Sequence, residues 1–277
     1  MPPIKVALGT VQETLLITLW ARAEECRRPD PLLRDETSRR ICESLDYDFR
    51  RLARAQGSQF GICVRSWLFD RWVTQFLEAH PTGTVVEIGA GLNTRFERTD
   101  NAQVQWFDLD LPDTMALRRQ FFADTARRRS IAASVLDPVW SAAVKAPKAG
   151  PFFFVAEGVL MYLQEAQVRE VFALLAEHFP GALFAFDSMS PLMLKNQKHH
   201  DAMKFYEARF QWAIADLGQL QTWPGAPQIL ETKRLSDGPP RYRYRVPLWQ
   251  RLLFALPPFK DMYRLSLVRL AGAAVER

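Results

Sequence analysis

The chain has 277 residues, 48% of them apolar, and its 36 Lys and Arg against 31 Asp and Glu leave a formal net charge of +5. That length and apolar content suit one large α/β domain with a helical appendage and exclude a disordered or fibrous chain. The charge is too slight and too scattered for a nucleic-acid surface, and no stretch approaches the roughly 18 uninterrupted apolar residues of a membrane span. The start of the chain has no apolar segment with a cleavage site. Cys26, Cys42 and Cys63 are unevenly spaced within helical patterns, fitting neither a disulfide framework nor a metal knuckle. A cytoplasmic location with no metal, no nucleic acid and no membrane partner is therefore expected.

Residues 11–26 predict an amphipathic helix, with Leu15, Leu16, Leu19 and Ala23 in a stripe and a capping-box start from Thr10 and Glu13. A loop with two prolines covers 27–34, a second helix 35–45, and a third 62–79, which His80-Pro81-Thr82-Gly83 stops. Residues 1–82 thus form a helical cap. Strands are then expected at 85–88, 104–107, 130–135, 152–156 and 183–186, with helices at 113–127 and 165–178 between them. Such alternation predicts an α/β, doubly wound, Rossmann-like core over 83–190 with right-handed crossovers. Residues 191–220 are polar and helical in pattern and look like an insertion, bounded at 191–226. Residues 227–277 would complete the sheet through strands at 228–233 and 262–270. Between these, 239–258 is basic, aromatic and irregular; Arg241, Arg243 and Arg245 alternate with Tyr242 and Tyr244. This stretch and the Arg127-Arg128-Arg129 run both read as solvated faces.

The stretch TVVEIGAGLNTRFERTDNAQVQWFDLD, from Thr84 to Asp110, organises the rest. A buried strand empties into Gly89-Ala90-Gly91, and a second strand ends in Asp108 and Asp110, the arrangement that grips a nucleoside-bearing cofactor. A dinucleotide fingerprint needs a third glycine, and Thr94 stands in its place. Glu87, just before the glycines, disfavours a pyrophosphate and suits a cationic ligand such as S-adenosylmethionine. Carboxylates also close the expected third, fourth and fifth strands as Asp137, Glu157 and Asp187, the pattern of a site for a polyhydroxylated cation. Asp137 and Asp187 are equally well read as helix caps.

The segments VVEIGAGLNTRFER, WFDLDLP and VAEGVLMYL resemble the leucine carboxyl methyltransferase family, and within it the bacterial tetracenomycin-type polyketide O-methyltransferases. The likeness runs from about residue 11 to 210. It implies a seven-stranded class I methyltransferase sheet, S-adenosylmethionine as cofactor, and a small-molecule acceptor methylated at a carboxylate or phenolic oxygen. It further implies Arg65 on the methionine carboxylate, Gly89 and Gly91 beneath the cofactor, and Asp110 on the ribose. Asp108 would stand beside Asp110, either supporting the cofactor's ligands or as a structural acid, with Glu157 near the methionine ammonium and Tyr162 near the reacting methyl. Two positions depart from the family pattern. Val135 stands where an acid usually reaches the adenine, leaving Val135, Leu136 and backbone groups to hold it, and Asn93 replaces a common aspartate. No residue stands out as a general base; His199 and His200 are the weak candidates, while His80 and His178 end helices. Lys195, Lys198 and Arg209 are placed to attract an acidic acceptor. Sulfur or nitrogen acceptors, a nucleotide-binding oxidoreductase, a catalytically silent scaffold, and a monomeric or dimeric state all stay open on these residues.

Overall fold

The computed structural model describes residues 3–146, 150–257 and 259–271. A two-residue strand β1 (Ile4–Lys5) precedes α1 (Leu15–Cys26) and α2 (Glu36–Ser44), and pairs in parallel with β2 (Leu45–Asp46). The long α3 (Gln56–Ala79) leads into β3 (Thr84–Ile88), α4 (Arg95–Thr99), β4 (Gln105–Asp110), α5 (Pro112–Arg118) and β5 (Arg128–Ala132). Then follow α6 (Val139–Lys145), β6 (Phe152–Ala156), α7 (Glu165–His178), β7 (Leu183–Met189), α8 (Pro191–Lys195), β8 (Gln228–Arg234), α9 (Leu248–Leu253) and β9 (Tyr263–Arg269). The seven-stranded sheet has the order β5-β4-β3-β6-β7-β9-β8; its first five strands are parallel, and β9 runs antiparallel to both neighbours. From β3 the chain winds outward to β5 and returns to β6 on the other side. That reversal opens a crevice beyond the carboxyl ends of β3 and β6, where α/β sheets bind ligands.

Successive residues of a strand face opposite sides, so paired apolar residues serve two cores at once. Val85, Phe153, Ala185 and Leu265 pack on the α3 face with Leu68, Phe69 and Trp72. Val86, Phe154, Phe184 and Val268 pack on the other face against Trp140 of α6 and Phe172 of α7. Trp140 and Phe179 stack there with ring centroids 5.8 Å apart. Continuous apolar runs such as FFFVA are the expected consequence of burial on both faces.

Several expected boundaries shift for identifiable reasons. The helix at the start begins at Leu15 after a 3-10 turn, and no side chain caps it; Glu13 instead accepts from Tyr47 Oη and Arg51. α5 ends at Arg118, not 127, and β5 spans Arg128–Ala132 in place of 130–135, because Arg118 and Arg128 both turn inward to Asp108. Arg128 is therefore a core cation, not part of a solvated face. β7 extends to Met189 because β9 pairs along its whole length. The expected helical insertion is mostly not helical: beyond α8 and short 3-10 turns the chain runs extended, with Ala208, Phe210, Trp212 and Ile214 buried at every second position. That two-residue period is visible in the sequence and outweighs its helical propensity.

A layer of buried charge ties the cap to the sheet. Arg95, fully buried, donates to Asp70 on α3, Glu87 on β3 and Glu157 just beyond β6. Arg98 adds Asp70 at 2.6 Å, and Arg22 of α1 pairs with Asp35 at 3.1 Å. Replacing Arg95 by Met leaves three carboxylates without their shared partner, so Arg95→Met should cost roughly 3–5 kcal/mol in urea unfolding. Arg127→Ala, which breaks the more exposed pair with Asp100, should stay within about 1 kcal/mol. Equal effects of the two substitutions would show that the buried layer carries no special weight.

Candidate cofactor and acceptor site

β3 stops at Ile88 because the next residues leave the extended region: Gly89 has φ 63° and Gly91 φ 49°. A Cβ on Gly89 would sit 2.4 Å from Val159 Cγ2, so the turn is closed to any side chain there as well as strained for one. The Gly89 and Ala90 amides donate to the Leu109 carbonyl at 2.8 and 3.1 Å, which draws the end of β4 alongside the turn. Asp110 thereby faces the glycines: its Oδ2 accepts from Gly91 N and its Oδ1 from Leu111 N, both at 2.7 Å. It enters no ion pair among the described residues, and burial pushes its carboxyl up to about 6. Each oxygen keeps a lone pair for a ligand hydroxyl.

Across the crevice, Arg65 of α3 donates from Nε to Glu157 Oε1 and from Nη1 to Tyr263 Oη, both at 2.9 Å, and lies 3.3 Å from Asp187. Ser66 Oγ donates to Glu157 at 2.8 Å. Burial alone would raise the Glu157 carboxyl, but the guanidiniums of Arg65 and Arg95 hold it down at about 2. Asp187 lies inside β7, where both its oxygens accept from Gly158 N and Oδ2 accepts from Tyr263 Oη, so it caps no helix. Arg65 Nη2 enters none of these bonds.

These groups border one cavity of about 590 Å³, which Arg65, Gly89, Gly91, Asp110, Glu157 and Val135 all line. Tyr162, His199 and His200 line it too, toward the end walled by Met161, Met193, Met203 and Phe210. Three expected contacts are not brought there. Glu87 turns into the protein and accepts from Arg95 and, at 2.9 Å, from Asn93 Nδ2. Asp108 is consumed by Arg118 and Arg128 at 2.9 and 2.7 Å. Leu136 packs into the core behind the sheet, since β5 ends at Ala132 and the loop turns there. The acids near the strand ends are thus mostly neutralised from within, and their number alone says less about a cationic ligand than expected; Asp110 is the exception.

The Asn93 departure has a physical account. Its amide donates to Glu87, and an aspartate there would set two carboxylates against each other. Asp137 accepts from Val139 N at 3.0 Å and so caps α6. Lys195 and Lys198 lie outside the cavity wall, and Arg209 Nη1 is spent on the carbonyls of Tyr206 and Ala208. Sequence reasoning missed Tyr263 and the α1 residues Leu15 and Thr18 at the cavity wall, and Ser66, which bonds to Glu157 from behind it. Their places follow from long-range packing, and no local motif marks them. Asp201, next to the two histidines, accepts from Ser58 N at 3.2 Å and holds the histidine segment against α3.

The donor set suits S-adenosylmethionine: a free-faced carboxylate beside a glycine turn, a guanidinium whose Nη2 is unengaged among the described residues, and an apolar end. Comparisons with known proteins agree. The leucine carboxyl methyltransferase family model matches residues 15–176. Over 235 residues the chain is 33% identical to the tetracenomycin polyketide synthesis O-methyltransferase TcmP of Streptomyces glaucescens, covering 84% of this chain and 86% of that one. It is 28% identical over 238 residues to the S-adenosyl-L-methionine-dependent methyltransferase dpfgK of Gibberella zeae, covering 79% and 80%. A DUF574 family protein from Streptomyces avermitilis superposes with a TM-score of 0.58 at 11% identity, over 93% of this chain and 97% of that one, and so shares the fold. The chain therefore belongs to the leucine carboxyl methyltransferase family and is an S-adenosylmethionine-dependent methyltransferase.

Proposed function

We propose that the enzyme methylates an oxygen of a small, largely apolar metabolite, a polyketide-like acid or phenol that presents its oxygen already ionised. The observation that carries this reading is the acceptor end of the cavity, which is walled by methionines and Phe210 and where, among the described residues, His199 is exposed and no buried histidine keeps a free ring lone pair. His200 Nδ1 accepts from the amides of Ala202 and Met203, both at 3.3 Å, and burial lowers its pKa. The ring is therefore neutral with its proton on Nε2, a donor with no lone pair to spare. Burial pushes the Tyr162 phenol up to about 12, and its hydroxyl points to Met203 Sδ at 3.6 Å. A carboxylate acceptor needs no base because it is ionised near neutral pH. The relative TcmP is named for O-methylation in polyketide synthesis, which supports oxygen over sulfur or nitrogen.

S-adenosylmethionine, when bound, supplies the methyl on a sulfonium. The chain's own residues would hold the cofactor and exclude water: Asp110 would accept from the ribose hydroxyls, Arg65 would meet the methionine carboxylate, Glu157 would serve the ammonium and Val135 the adenine. Alignment of the acceptor oxygen with the methyl then provides most of the rate as effective molarity.

Transfer of labelled methyl to aromatic carboxylic acids, phenols, thiols and amines tests the reading. Label in an alkali-labile ester or a stable aryl ether is expected; label in a thioether or amine overturns it. His200→Gln and Tyr162→Phe should each change kcat by less than about tenfold, whereas loss of a true base costs about 10²–10⁴. Asp110→Ala should weaken S-adenosylmethionine by about 100-fold in calorimetry, since bonds to a charged acceptor are lost. The wild-type affinity should fall by about tenfold between pH 7 and pH 5 as Asp110 protonates through about 6. Asp110→Asn should abolish that pH dependence.

A further inference from the structure

Within the connection from β8 to β9, the stretch around α9 is exposed. On and just after α9, Leu248, Trp249, Leu252 and Leu256 are 64, 64, 61 and 58% exposed, and α9 buries none of its residues. Scattered surface apolar residues are ordinary, but a contiguous set of this size marks an interaction site. Between residues 238 and 260 the chain carries five cations, Arg241, Arg243, Arg245, Arg251 and Lys260, and no acid. Arg245 is spent on Glu25, while Arg243, Arg251 and Lys260 are exposed and enter no ion pair among the described residues.

We propose that this segment is a docking surface for an anionic lipid bilayer, with Trp249 and the leucines entering the interface and Arg243, Arg251 and Lys260 meeting the headgroups. Apolar residues flanked by unpaired cations are the composition of an interfacial element. No described helix is long and apolar enough to cross a membrane, so the contact is peripheral. A second copy is a poor occupant: a two-fold contact would bring the same cations face to face. Phe254, 44% exposed, belongs both to this patch and to the cavity lining. The docked enzyme therefore opens its cavity beside the bilayer, where an apolar acceptor concentrates. That consequence rests on the proposed function; the docking itself does not.

Co-sedimentation of the full chain with phosphatidylcholine vesicles, alone or with about a third phosphatidylserine, tests it. Binding to the mixed vesicles, little to the neutral ones, and release at about 1 M salt are expected. Trp249→Ser and Arg251→Glu should each weaken binding by roughly tenfold, with thermal midpoints by circular dichroism unchanged. No binding to mixed vesicles, equal binding to both, or indifference to both substitutions would overturn the proposal. So would a dimer in sedimentation velocity that Trp249→Ser dissociates and that ignores vesicles. Cofactor titration in the same variants separates this result from the methyltransferase reading, because none of the substituted residues touches the cofactor end.

Discussion

One guanidinium holds the site end of the sheet together. Arg95 sits where the carboxyl ends of β3 and β6 meet α3, and its donors reach Glu87, Glu157 and Asp70 in three different elements. A planar cation with a fixed fork of donors can do this; a lysine ammonium cannot span the three directions. With those carboxylates paired, Arg65 is positioned through Glu157, and Asn93 through Glu87. The cavity wall thus rests on a buried ionic layer whose geometry is fixed before any ligand arrives.

That layer also separates two kinds of acid. Glu87, Asp108, Glu157 and Asp187 each face a buried guanidinium, although burial still raises the Glu87 and Asp187 carboxyls. Asp110 is held by two amides alone, and its raised pKa shows the cost of burying a charge without a counterion. A carboxylate left in that condition is stabilised by donors from a ligand, which is the physical basis for proposing Asp110 as the ribose-binding acid.

The segment 191–226 illustrates how function and packing share one stretch of chain. Its first part carries His199, His200 and Met203 to the cavity, anchored by Asp201 on Ser58. Its second part runs extended, buries Trp212, Ile214 and Leu220 against the far face of the sheet, and bonds to Met161 O and Met189 O. It is as much a core element as a wall of the cavity.

The five parallel strands, the glycine turn, Asp110 and the family motifs were legible in the sequence because each is written locally. Apolar runs of β length, glycines where φ must be positive, and an acid just before Leu111-Pro112 need no distant partner to be recognised. Which acids face the ligand was not legible. Glu87, Asp108 and Leu136 sit in or beside the motifs, yet only the inward turn of Arg95, Arg118 and Arg128 and the early end of β5 removed them from the cavity. Tyr263 reached Arg65 and Asp187 only because antiparallel β9 closes against β7, a pairing across 76 residues that no local pattern encodes. The sequence by itself determined the strands, the turn and the cofactor class, through periodicity and backbone requirements. The tertiary structure alone decided which charges cancel and which remain for a ligand, because that depends on partners brought together from distant parts of the chain.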